Sequence, residues 1–172
     1  MAGAGKSEVA AVFRAGDFTL IRFGDITDEE VKKRGLPLNE ANERAVRESL
    51  REKYGMAAYA DLSRARIESA LDNADVVVDG LYSWEEYIYL KDLYHDDFLV
   101  VAVWASPRTR YNRLVSRKVR PLTPREAAAR DRAEIEHLNK GGPIAMADFT
   151  IINDGTLSDL KRQVERIIIK IK

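Results

Sequence analysis

The sequence predicts an α/β fold built around a parallel sheet, and three observations point to it. Four short runs, Thr19–Phe23, Val76–Asp79, Phe98–Trp104 and Phe149–Ile152, alternate with longer stretches of helical pattern. Each run is apolar and mostly β-branched or aromatic, as a strand buried in a parallel sheet must be. Helix starts are marked by capping residues, several followed by proline or by a carboxylate three positions on.

Taken in order, an apolar helix around Val9 to Phe13 follows Gly5-Lys6-Ser7 at once and precedes the first strand. Thr27-Asp28-Glu29-Glu30 reads as a capping box opening a helix to Arg34. Helices over Asn39–Tyr54 and Met56–Leu71 complete a helical excursion between the first two strands. Ser83-Trp84-Glu85-Glu86 is a second capping box, just after Val76–Asp79. Ser106-Pro107 begins a helix that runs to Arg117, with a break at Pro121. Thr123-Pro124-Arg125-Glu126 caps another, expected to reach Asn139, and Gly141-Gly142-Pro143 ends this second excursion. Thr156 caps the last helix. Long excursions from a sheet usually carry function as lids or binding flaps.

A chain of 172 residues reads as one domain, 1–172, large enough for a sizeable core. Lys+Arg and Asp+Glu are both 28, so no net charge draws the protein to nucleic acid or a membrane. The absence of cysteine excludes disulfides, a thiol nucleophile and thiolate metal sites. No apolar run spans a bilayer and no signal-peptide pattern is present, which reads as cytoplasmic.

Chemistry concentrates at the N-terminus. Glycine-rich backbone leading into a helix N-terminus makes a concave anion site of N–H groups. Met1-Ala2-Gly3-Ala4-Gly5-Lys6-Ser7 carries the end of the phosphate-loop pattern G-x-x-x-x-G-K-[ST]. Gly3 and Gly5 allow the turn, Lys6 is placed to reach β- and γ-phosphates, and Ser7 to ligate Mg²⁺. Lys6 is expected to face solvent when no ligand is bound. The first glycine of the pattern falls before Met1, as does the strand that feeds the loop. The expectation is a start assigned late, at an internal methionine.

Asp79 ends a buried apolar strand, the arrangement that holds a carboxylate near Mg²⁺, or else it is a simple turn residue. Asp25, in Phe23-Gly24-Asp25, stands at the edge where open sheets bind ligands. It either orients an acceptor hydroxyl or is an ordinary strand-to-helix Asp. Arg108, Arg110, Arg113, Arg117, Lys118, Arg120, Arg125, Arg130 and Arg132 cluster in the second excursion. They read as solvated helix faces, a nucleic-acid patch, or a phosphoryl-transfer lid, the lid being favoured for two or three of them. His95 and His137 lack metal-ligand spacing. Tyr82, Trp84 and Tyr87 pack as core or stack on a base.

Together these segments resemble the nucleoside-monophosphate-kinase-like P-loop proteins. Within them the chain is similar to an archaeal-type, adenylate-kinase-related family that itself resembles dephospho-coenzyme A kinase. The matching segments are Met1–Glu8, Phe23-Gly24-Asp25, Val78-Asp79-Gly80, Ala105-Ser106-Pro107-Arg108-Thr109-Arg110, Arg130-Asp131-Arg132, Ala147-Asp148 and Ile152-Asn153-Asp154-Gly155. The resemblance implies a three-layer P-loop fold with strand order 2-3-1-4-5, its first strand missing here. It implies a substrate flap at 27–72 and a lid at about 115–140. It further implies that Gly3, Ala4, Gly5, Lys6, Ser7 and Glu8 bind ATP, with Asn153 and Gly155 bordering the adenine. Ser7 and Asp79 would hold Mg²⁺, Asp25 the acceptor hydroxyl, and Arg117 and Arg130 the phosphates. The family commonly carries arginine where this chain has Tyr82. The expected activity is phosphoryl transfer from Mg·ATP to dephospho-coenzyme A or a nucleoside monophosphate such as AMP. The alternative is a nucleotide-binding sensor with little turnover. The expected partner is a small nucleotide or coenzyme A precursor, not nucleic acid or a membrane.

Overall fold

The computed structural model describes residues 1–118 and 121–172, so Arg120 of the basic excursion lies outside the described residues. The elements are α1 (Lys6–Ala15), β1 (Thr19–Arg22), α2 (Gly24–Lys33), α3 (Glu40–Tyr54), α4 (Ala58–Leu71), β2 (Val76–Asp79) and α5 (Trp84–Tyr94). They continue with β3 (Val101–Trp104), α6 (Pro107–Val115), α7 (Pro124–Glu136), α8 (Gly141–Ala145), β4 (Phe149–Ile152) and α9 (Leu157–Ile171). A 3₁₀ turn, His95–Asp97, separates α5 from β3.

β1 pairs with β2 in parallel, Thr19 opposite Val76 and Arg22 opposite Asp79. β3 pairs with β4 in parallel, Val101 opposite Phe149 and Trp104 opposite Ile152. Among the described residues the two pairs remain separate two-stranded sheets. They correspond to strands 2-3 and 4-5 of the expected order.

Side chains alternate across β2 with the period of two that a strand imposes. Val77 joins Val9, Phe13, Ile151, Leu160 and Val164 in a core between α1, α9 and the strands, and Val101 and Val103 of β3 pack on the same core. Val78 joins Phe23, Ile26, Val46, Tyr59 and Leu90 in a second core built by α2 to α5. The strands therefore lie between two helical layers. No helix among the described residues is long and apolar enough to cross a membrane.

The cap signals at Ser83, Ser106, Thr123 and Thr156 hold, each side chain accepting the N–H three residues on. The box expected at Thr27 does not form. The helix begins at Gly24, straight off β1, so Thr27 lies within it. Its side chain is buried and shares a 2.7 Å hydrogen bond with the Tyr59 hydroxyl instead. The strand expected from Phe98 starts at Val101, because Val100 N–H is taken by the Asp148 carboxylate at 2.7 Å. Gly141-Gly142-Pro143, expected to end the second excursion, opens the short α8. A Cβ on Gly142 would lie 2.5 Å from the Trp84 ring, so only glycine lets this turn close.

Phe23 is fully buried at the junction of β1 and α2. Phe23→Ala is expected to lower unfolding free energy by about 3–5 kcal/mol. Ile152→Ala, at a position 58% exposed, should change it by less than about 0.5 kcal/mol in the same urea titration.

Candidate functional site

The first five residues form a tight loop that ends on the N-terminus of α1. Gly3 and Gly5 hold φ of 75° and 101°, which side-chain-bearing residues rarely adopt. Space demands glycine as well. A Cβ on Gly3 would lie 2.8 Å from the Arg110 carbonyl oxygen, and one on Gly5 would lie 2.3 Å from Asn153 Nδ2. No side chain caps α1, so none competes with a ligand for the N–H groups of its first turn.

Two side chains fix the loop from below. Asn153 Nδ2 donates to the Ala4 carbonyl at 2.8 Å, and Asn153 N–H donates to Trp104 O at 2.7 Å. The Arg110 guanidinium donates to Ala2 O at 3.2 Å, to Ala105 O at 3.1 Å and, bidentately, to Asp131 at 2.8 and 2.6 Å. Tyr111 OH adds a third donor to Asp131 at 3.0 Å. Asp131 thus anchors α7, in the expected lid, to the loop. Asp154 extends the same frame, its carboxylate accepting Ser106 N–H at 3.0 Å at the start of α6. Gly155 follows, and a Cβ there would lie 3.0 Å from the Asp159 carboxylate.

Lys6 departs from the solvated expectation. Its amine is the buried end of a half-buried residue and donates to Met1 O at 3.0 Å. Burial, then the charge of Lys140, lower its pKa from 10.5 to about 8, with Glu134 and Asp79 opposing. Ser7 and Glu8 are exposed on the first turn. Asp79 closes β2 beside this cluster, near enough for its charge to act on Lys6 and on Tyr82. Asp25 lies at the same sheet edge, in the first turn of α2, paired with Arg22 at 3.1 Å and 44% exposed.

The two arginines expected in a lid separate. Arg117 is exposed beyond the end of α6. Arg130, on α7, donates to Glu134 at 3.3 Å and lies 3.9 Å from Glu40 at the start of α3. Among the flap arginines, Arg44 points outward to Glu48, Arg47 reaches Glu40 at 2.7 Å, and Arg51 lies 5.0 Å over the Tyr59 ring. Tyr82 presents its ring to Lys140 Nζ at 4.9 Å, and burial followed by the Asp79 charge pushes its hydroxyl up to about 12. Trp84 and Tyr87 stack on one another at 5.0 Å, Tyr87 as a buried residue and Trp84 at the wall of an open groove.

Sequence reasoning missed Glu134 and Lys140, and read Glu86 only as a capping-box carboxylate. The Arg130–Glu134 spacing of four was readable as a helical pair. Nothing local indicated that Lys140, in a glycine-rich turn, is 3% exposed. Glu86 Oε2 accepts Tyr82 and Ser83 N–H, at 2.7 and 3.3 Å, completing a capping box. Its Oε1 is buried without a hydrogen-bond partner among the described residues, and burial raises its pKa to about 7.

A hollow of about 290 Å³ lies beside the loop, lined by Gly5, Glu8, Arg113, Asn153, Leu157 and Leu160. Among the described residues no cluster of three or more His, Asp or Glu forms a metal cage. Ser7 hydroxyl and Asp79 carboxylate are hard oxygen donors, the type Mg²⁺ takes alongside phosphate oxygens.

Fold and loop together define a P-loop nucleotide-binding protein of the α/β class. Residues 1–137 match the family model described as an AAA domain. Similar proteins include a UPF0200 protein of Thermococcus gammatolerans, 34% identical over 175 residues, 99% of this chain and 92% of that protein. A UPF0200 protein of Hyperthermus butylicus is 32% identical over 98% of this chain and 89% of its own length. The chain belongs to the AAA-domain family and to the UPF0200 protein family.

Two stability predictions follow from the site. Asp131→Ala leaves the buried Arg110 guanidinium without its counter-ion and is expected to cost about 3–5 kcal/mol in chemical denaturation. Protonated Glu86 stabilises the fold fully below about pH 4.5, the unfolded value. That contribution is lost as pH rises through about 7. Glu86→Gln keeps an acceptor for the two N–H groups. It should therefore abolish this decline and stabilise the protein at pH 8 by on the order of 1–3 kcal/mol.

Proposed function

We propose that the protein is an ATP-dependent small-molecule kinase that transfers the γ-phosphoryl group of Mg·ATP to a nucleotide-like acceptor. Dephospho-coenzyme A and a nucleoside monophosphate such as AMP are the leading acceptors. The observation that carries the reading is the buried amine of Lys6, destabilised as a cation until an anion joins it, at an uncapped helix N-terminus. The whole chain, 1–172, acts as one kinase-like domain with residues 27–72 as acceptor flap and about 115–140 as lid.

The roles follow the chemistry of each group. Lys6 and the backbone of Gly3 to Glu8 hold the phosphates, which stabilises charge spread over the transferring group. Asn153 and Gly155 border the base beside the hollow behind Gly5. Asp25, half-exposed at the sheet edge, accepts the hydrogen bond of the acceptor hydroxyl and sets its line of approach. Arg130 and Arg117 close from the lid. Ser7 and Asp79 would hold Mg²⁺, which when bound supplies further positive charge against the phosphate oxygens.

Lys6→Ala is expected to reduce turnover about 10²–10³-fold or more while leaving the thermal midpoint nearly unchanged, because a desolvated cation is removed together with one hydrogen bond. A polyphosphate beside Lys6 raises its pKa from about 8. Binding at pH 8.5 should therefore take up protons, read as a dependence of calorimetric heat on buffer ionisation enthalpy. Lys6→Met should lose this uptake. Turnover is measured with ATP against nucleoside monophosphates and coenzyme A precursors. Absence of transfer to every one of them sinks the kinase reading, and tight ATP or AMP binding without transfer identifies a nucleotide sensor instead.

A further inference from the structure

Five charged groups converge at the loop: Lys6, Arg130 and Lys140 against Glu134 and Asp79. The roles proposed above use three of them and leave Glu134 and Lys140 unassigned. Both are buried, 7% and 3% exposed. Lys140 Nζ donates to Glu134 Oε2 at 2.7 Å and Arg130 Nε donates to Oε1 at 3.3 Å, so each carboxylate oxygen is taken by a different cation. The Lys140 backbone N–H also donates to the Glu134 carbonyl at 3.2 Å, which holds the turn after α7 against that helix. The Tyr82 ring under the ammonium fixes its direction. Among neighbouring charges, Lys140 is the one Lys6 feels most.

Stability does not explain such a pair. Apolar side chains of similar volume usually serve a fold as well as a buried ion pair, or better. What the pair provides is an anion with two oxygens, taken by a lysine and an arginine beside a phosphate-loop lysine. Those are the donors a phosphoryl group would use. Without it, the buried Lys140, the Lys6 amine and the partly exposed Arg130 would face one another as like charges and repel.

We propose that Glu134 is an internal stand-in for a phosphoryl group. Its carboxylate holds Lys140 and Arg130 beside Lys6 until a polyphosphate displaces it, and Lys140 then becomes a third phosphate-binding cation. The exchange favours polyphosphates, which carry more charge and more acceptor oxygens than the carboxylate. A singly charged anion gains little by it. This proposal rests on the phosphate-loop reading for the place where the ligand sits.

The test is calorimetric titration of inorganic tripolyphosphate into the full chain and its variants. Glu134→Gln removes the competing anion and should bind about tenfold tighter or more. Lys140→Met should bind about tenfold weaker or more. Equal or weaker binding by Glu134→Gln, or unchanged binding by Lys140→Met, overturns the proposal and makes the pair purely structural. Should Glu134→Gln fail to fold, Glu134→Asp keeps the charge but shortens its reach. It is then expected to bind several-fold tighter, and an unchanged constant overturns the proposal equally. Lys6→Ala reports separately on the phosphate-loop reading. If it binds like the unmodified chain while the Glu134 and Lys140 variants shift as expected, that reading falls and the stand-in stands. If no form binds the probe, both fall.

Discussion

One guanidinium organises the rest of the site. Arg110 is buried, and four hydrogen bonds from its guanidinium meet the Ala2 carbonyl of the loop, the Ala105 carbonyl beyond β3 and both oxygens of the Asp131 carboxylate of α7. A loop turning through two positive-φ glycines directs carbonyls away from any helix or strand, and buried carbonyls need donors. Arginine supplies them, but its charge then needs an anion, which Asp131 provides from α7. Loop, sheet end and α7 are thus held by a single electrostatic requirement. The same crowding explains Gly3, whose missing Cβ makes room for the Arg110 backbone.

Around this frame the site accumulates charge that a stable core would avoid. Burial alone would raise Glu134, yet the charge and hydrogen bond of Lys140, with Arg130 and Lys6, bring it down to about 2. The Lys6 pKa is lowered too, which disfavours its charged form, because burial and the neighbouring cations outweigh Glu134 and Asp79. A cluster in which one member is stabilised by neighbours that destabilise another is pre-organised for an anion and costly without it. That is the trade between stability and activity expected of a binding site. Glu86, a short way along α5, carries a similar cost with a buried oxygen that has no hydrogen-bond partner among the described residues.

What was legible in the sequence was local. β2 and β4 run over Val76–Asp79 and Phe149–Ile152 as expected, because their apolar residues are bounded by turn residues. The caps at Ser83, Ser106, Thr123 and Thr156 hold because each bonds within its own first turn. Thr27 carried the same local pattern, but α2 starts off the strand at Gly24 and the hydroxyl is claimed by Tyr59, a partner thirty-two positions away. Flap arginines could not be sorted from periodicity, since Arg47 and Arg51 are distinguished from Arg44 by contacts with Glu40 and Tyr59 rather than by spacing. Lys140 was illegible for the same reason: its burial depends on Glu134, Tyr82 and Lys6 converging from three separate segments.

Arg130 is where the two helical excursions meet. Its guanidinium lies 3.3 Å from Glu134 on its own helix and 3.9 Å from Glu40 at the start of α3, and Glu40 also accepts Arg47 at 2.7 Å. The contact with Glu40 is long and half-exposed, and such pairs contribute about 0–1 kcal/mol. It can be exchanged at little cost, whereas the anchor through Asp131 one residue later cannot. Adjacent residues on α7 therefore divide two tasks: Asp131 fixes the helix against the loop, and Arg130 remains free to change partners. In the proposed mechanism, an anion arriving at the loop would compete for Arg130 with Glu40 as well as with Glu134. On that mechanism, an Arg130 that turned toward the loop would leave Glu40 paired with Arg47, which it already accepts at 2.7 Å.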